Sequence, residues 1–207
     1  MKLLTVFLTG LQAMIIFSSA ASAAPVATCG NPSWIDEAVI LDGIFIGNLE
    51  GMCDITGVQN GNVSKLYQYY LSQESLNVVA INSAPVAETS LAATGTIADL
   101  SVSMNDGTMR SIIKIATDET NSVFYTSESK EINFSGTAGY LRKLNLDIRI
   151  DKVSDDHFKV TLKNLTNIKK PALLPNFVFL GPAKSQSIQK FNASLSQLGK
   201  DIASALE

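Results

Sequence analysis

The sequence predicts an α+β fold in which a curved antiparallel β-sheet wraps around a long C-terminal amphipathic helix. Three observations carry this. Between Ser185 and Glu207, Ile188, Phe191, Leu195, Leu198, Ile202 and Leu206 recur at helical steps, which at 100° per residue confines all six to an arc of about 80°. Leu144, Leu146, Ile148 and Ile150 alternate strictly with Asn145, Asp147, Arg149 and Asp151, the period of a strand with one buried and one wet face. Turn sequences at Asn105-Asp106-Gly107 and Ser154-Asp155-Asp156 join successive alternating runs, so neighbouring strands return antiparallel.

The N-terminus is read apart from the fold. Met1-Lys2, the apolar run Leu3 to Phe17 and the small residues ending Ala21-Ser22-Ala23 form a secretory signal pattern with a cut after Ala23, which predicts export to the periplasm or the extracellular space. The run is short for a membrane span and no basic stop-transfer flank follows, so no transmembrane segment is expected in the mature chain. Val26-Ala27-Thr28-Cys29 departs from a lipidation site at Thr28. Residues 24–207 then read as a single α+β domain without internal repeats or composition shifts. The full chain carries 16 basic and 19 acidic residues, net −3, a balance that does not favour nucleic acid as a partner. Cys29 and Cys53 are the only cysteines. In an exported chain they predict a disulfide, worth about 3 kcal/mol through loop closure.

In order, Ser33 and Asp36 suggest an N-capped short helix over Trp34 to Leu41, ended by Asp42-Gly43. Ile44 to Ile55 alternates loosely around glycines and reads as a strand with a bulge. Val63, Leu66, Tyr67, Tyr70 and Leu71 fall at helical spacing, with Tyr69 off the stripe and facing outward. Leu76 to Ile81 could be a strand, and Ala84-Pro85 with the small residues after it a surface loop. Leu100, Val102 and Met104 lead to a hairpin whose return strand places Met109, Ile113 and Ile115 on one face. Val123 to Ser127 forms another strand, extending towards Ile132, and a glycine-bearing loop covers Asn133 to Gly139. The 144–151 strand pairs with Phe158, Val160 and Leu162, with Asp and Lys residues opposed on the outer face. Pro171 to Pro182 holds Leu173, Leu174, Phe177, Val178, Phe179 and Leu180, too apolar for a solvated loop. It reads as a buried loop or short strand, or as a lid or partner surface.

This element order, carried by Asn105-Asp106-Gly107, the 144–165 hairpin and the 185–207 helix, resembles the START-like helix-grip superfamily. The resemblance implies a cavity between sheet and helix that binds a lipid or another hydrophobic molecule. The candidate ligand wall is Tyr67 and Tyr70, Ile113, Tyr125, Leu146 and Ile148, Phe177 and Phe179, and Phe191, Leu195, Leu198, Gly199 and Ile202. Gly199 enters because a side chain is missing there, close to the apolar arc. For the tyrosines, simple core packing is the competing reading.

No catalytic motif stands out. His157 is the only histidine and sits in a turn, and no nucleophile elbow, metal-ligand spacing or phosphate loop occurs. Asp36-Glu37 and Glu50 with Asp54 are read as capping and surface carboxylates. The sequence therefore predicts a non-enzymatic binding protein without cofactor or metal. The alternatives are an envelope interaction protein that uses residues 171–182, and a hydrolase or cyclase-type enzyme on the same fold.

Overall fold

The structure, a computed structural model, describes residues 24–59, 61–71, 86–94, 97–104, 107–118, 120–135 and 138–207. The expected signal peptide and the expected strand at 76–81 lie outside these residues. Among them, ten strands make one antiparallel sheet: β1 (Val26–Cys29), β2 (Ser33–Trp34), β3 (Val39–Leu41), β4 (Ile44–Thr56), β5 (Val86–Thr94), β6 (Ile97–Met104), β7 (Gly107–Asp118), β8 (Ser122–Phe134), β9 (Leu141–Ser154) and β10 (His157–Lys169). Their order is β1-β4-β10-β9-β8-β7-β6-β5, with β2 and β3 also pairing with β4. Two helices complete the description, α1 (Val63–Leu71) and α2 (Asn176–Ala205), with a single 3₁₀ turn at Ala138–Tyr140. An open, curved antiparallel sheet thus packs against a long C-terminal helix, as predicted.

β4 organises the sheet. Phe45, Gly47, Leu49, Gly51, Cys53 and Ile55 all face inward and are buried, in strict alternation, and its ladder with β10 runs from Ile44 to Thr56 without a register shift. The expected bulge is absent. The alternation is masked in the sequence because two inward positions are glycine, and the reason is steric. A Cβ on Gly51 would lie 2.5 Å from Leu195 Cδ2 and 2.8 Å from Phe191 Cε1, so helix α2 rests directly on the backbone there.

The other side of β4 collects β1, β2 and β3 in turn. The predicted helix at Trp34 to Leu41 is instead two short strands. Val39, Ile40 and Leu41 pair with Ile46, Phe45 and Ile44, and the Ile35 amide donates to Asn48 O at 2.9 Å. An unpaired strand edge outweighed a weak local cap. Val86–Thr94, read as a loop, is likewise a strand, paired along β6. Met104 pairs with Gly107 across the predicted hairpin, the intervening Asn105 and Asp106 lying outside the described residues.

The closing helix is longer than its apolar stripe. It begins at Asn176, after Pro175 at the N-cap, and passes through Pro182. Residues 176–182 are therefore its first turns, not a loop or a strand. Pro182 reads as a stop signal, but here it sits near the N-terminal end, where little helix precedes it. The main core gathers Leu49, Ile55, Leu66, Tyr125, Phe158 and Leu195 among others. A smaller one holds Ala38, Phe45 and Ala183, with Trp34, Ile168 and Phe179 packed on it. Cys29 and Cys53 stand opposite each other in the β1–β4 ladder and form the predicted disulfide.

Candidate functional site: the inner wall of the sheet

The inward face of the sheet divides into two halves. In the first, register aligns Tyr125, Ile148, Leu162 and Gly51 in one row and Val123, Ile150, Val160 and Cys53 in the next. All eight are buried, beneath the C-terminal half of α2 and, over β7 and β8, beneath α1. Burial pushes the Tyr125 phenol well above its usual titration range, so it stays neutral.

In the second half the rows continue as Ser127, Leu146, Asn164 and Leu49, and then Leu144, Thr166 and Gly47. Ser129, Leu144, Asn164, Thr166 and Ile168 face inward yet are only half-buried. The strand ladder explains the opening. β8 and β9 stay paired only as far as Glu128 and Asn145; beyond that β8 follows β7 alone to Phe134, and β9 follows β10 alone. At the fork, Ser129 Oγ accepts from the Leu144 amide at 3.0 Å. Sequence reasoning could not see this fork, because both strands alternate through it.

The predicted wall residues separate accordingly. Ile113, Tyr125, Leu146, Ile148, Phe191, Leu195, Leu198 and Ile202 all join the main core, and Tyr67 packs partly buried against it. Tyr69, expected to face outward, is instead partly buried against the same core. Tyr70 lies in α1, its side chain outside the described part. Phe179 belongs to the smaller core, with its ring edge-on to Phe45 at 6.5 Å, and Phe177 is 83% exposed on the first turn of α2. The missing side chain at Gly199 leaves no free space. A Cβ there would meet Cys29 Sγ at 3.0 Å, Ala27 Cβ at 3.1 Å and Cys53 Sγ at 3.2 Å, so the notch seats the cystine.

The outward face carries a separate shallow hollow of about 430 Å³ whose lining includes Ile112, Leu165, Lys114 and Asp147. Its charges are partly mutual: Lys163 is opposite Asp147 in register, as expected, but its ammonium pairs with Glu50 on the other neighbour at 2.9 Å. Asp36 and Glu37 lie between β2 and β3 and cap no helix. His157 Nε2 meets Asp54 Oδ1 at 2.9 Å at the end of the β4–β10 ladder. Among the described residues no group of three His, Cys, Asp or Glu side chains could hold a metal ion, and no helix is long and apolar enough to cross a membrane.

The architecture is helix-grip-like. The chain matches no family model and no curated protein. Solved structures similar to it include human StAR-related lipid transfer protein 5, at 10% identity over 83% of this chain and 88% of that one, TM-score 0.43. A truncated norcoclaurine synthase from Thalictrum flavum matches at 9% identity over 77% and 97%, TM-score 0.44. A START superfamily protein from Mycobacterium smegmatis matches at 10% over 77% and 98%, TM-score 0.40. These likenesses concern the fold alone.

Proposed function

We propose that this is an exported, non-catalytic binding protein for a hydrophobic small molecule or lipid, taken up against the inner wall between the sheet and α2. The observation that carries the reading is the half-buried state of Leu144, Asn164, Thr166 and Ile168. These are inward positions of a sheet whose other inward positions, from Leu162 to Phe158 in β10, are closed. The partly uncovered apolar members of this wall, Leu144 and Ile168, are where a ligand's hydrocarbon gains from desolvation, and Asn164 and Thr166 offer polar groups beside them. Export is supported by the signal pattern and by a disulfide, which persists in oxidising compartments.

The test is organic extraction of the purified mature protein followed by mass spectrometry, together with titration by the apolar fluorophore diphenylhexatriene. A co-purifying apolar molecule, or saturable binding of one fluorophore per chain, is the expected result. A protein that yields nothing and leaves the fluorophore dark refutes the reading. N-terminal sequencing of the secreted product should begin at Ala24.

A second reading is favoured by one observation: Leu173 and Phe177 are 97% and 83% exposed, with Leu174 and Val178 beside them in sequence also exposed. That patch suits contact with another envelope component. Replacing Leu173 and Phe177 together by Ser should abolish such contact while leaving fluorophore binding intact.

A further inference from the structure

Among the described residues, one inward serine hydroxyl of the sheet is buried without a hydrogen bond. Ser111 is 1% exposed, and its Oγ makes no hydrogen bond, whereas buried hydroxyls are nearly always paired. Its opposite number across the β7–β8 ladder, Ser129, is already engaged with the Leu144 amide at the fork. Ser127, 8% exposed, lies diagonally across the same ladder. Diagonal neighbours on an antiparallel pair come within about 7–8 Å, so one small polar group can approach both hydroxyls.

We propose that Ser111, with Ser127 beside it, is the polar anchor of the inner wall, and that the bound molecule is amphipathic, with an uncharged hydroxyl, ester or amide group on a hydrocarbon body. This deepens the reading above and rests on it. The uncharged head follows from the wall itself. Inward positions from Met109 to Thr117 in β7, Val123 to Ser129 in β8, Leu144 to Ile150 in β9 and Phe158 to Ile168 in β10 include no acidic or basic residue. An anionic or cationic head would be stripped of water there with no charge on these strands to balance it. A neutral hydroxyl or carbonyl would exchange a hydrogen bond to water for one to Ser111 Oγ, which can donate one bond and accept others. The hydrocarbon body would then lie over Leu144 and Leu146, the apolar inward positions of β9 next to the fork.

The test uses the purified mature protein loaded with diphenylhexatriene and displaced by three competitors of one chain length: 1-decanol, decanoate and 1-chlorodecane. Wild-type protein is expected to favour decanol over both others by about tenfold. Ser111→Ala and Ser111→Val should erase that preference while diphenylhexatriene affinity holds, and Thr126→Val on the outward face should change neither. Without ligand, Ser111→Ala should melt at the same temperature or higher, since it removes an unpaired buried hydroxyl. A lower melting temperature would mean that the hydroxyl is satisfied within the fold, and the inference falls. It falls equally if decanoate competes best, or if the Ser111 variants keep the decanol preference. If wild-type protein does not bind diphenylhexatriene at all, the pocket itself is refuted and the anchor with it. Binding of diphenylhexatriene without any decanol preference refutes the anchor alone.

Discussion

The two ends of α2 meet the same sheet in opposite ways. From Phe191 to Leu206 the helix is pressed onto bare backbone at Gly51 and onto the cystine at Gly199, with Leu195 and Ile202 fully buried. From Asn176 to Pro182 only Phe179 and Leu180 reach the small second core, and Phe177 and Val178 stand in solvent. The same contrast runs through the wall beneath, closed and apolar around Cys53, partly open and polar-flecked around Asn164. Buried apolar packing is concentrated at one end of the helix and is thin at the other.

Substitutions should reproduce that asymmetry. Phe191→Ala, which empties a site 2% exposed, is expected to cost about 4 kcal/mol in denaturant unfolding. Should it cost under 1 kcal/mol, the closed end is not closed. Gly51→Val drives a branched side chain into Leu195 and Phe191 and should cost about 3 kcal/mol, with a loss of near-ultraviolet signal as α2 lifts. Replacing Cys53 by Ala should remove about 3 kcal/mol of stability by loop opening. It should also relax the crowding at position 199, so that Gly199→Ala, unfavourable beside the intact cystine, becomes neutral or stabilising by about 1 kcal/mol through helix propensity. A double-mutant cycle measured by urea melts reads that change of sign directly. At the open end, Phe177→Ser should move stability by no more than about 0.5 kcal/mol.

The smallest effect concerns Asp201. Its carboxyl is held above the usual range, chiefly because burial disfavours the charged form, with Gln197 and Lys200 acting in the opposite sense. A raised native-state value means that the folded protein binds the proton more tightly than the unfolded chain. The penalty is therefore full above the shifted value and disappears below the ordinary carboxylate value of about 3.9. Asp201→Asn should accordingly raise the melting temperature slightly at pH 7, and the gain should vanish near pH 3.5.

The fold was legible where side chains reported their own position. The Leu144–Ile150 alternation and the α2 stripe each named an element that exists, and the alternating runs either side of residues 105–106 pair as antiparallel neighbours. It was illegible where packing replaced a side chain by hydrogen. Gly47 and Gly51 occupy inward positions of β4, so a strand with strict inward alternation read as an irregular one. Trp34 to Leu41 went astray because a cap signal is local, whereas the free edge of β4 is created only once the sheet has assembled. The candidate site was half legible. Hydrophobic periodicity picked out the residues that fill the core, which is what periodicity measures, and so it overlooked Ser129, Asn164 and Thr166, polar residues at inward register. Gly199 was noticed for a sound reason, a missing side chain, but the space had been assigned to a sulfur pair from a distant strand.

The cystine has a consequence for the history of each molecule. β1 is only four residues long, and it covers the stretch of β4 from Cys53 to Thr56. Besides the disulfide, that strand is held by its short ladder and by the seat of Ala27 and Cys29 against Gly199 of α2; where open thiols loosen it, the uncovered β4 margin is a template on which another chain can dock. Synthesis in a reducing cytosol should therefore give a smaller soluble fraction than synthesis where an oxidant reaches the chain early.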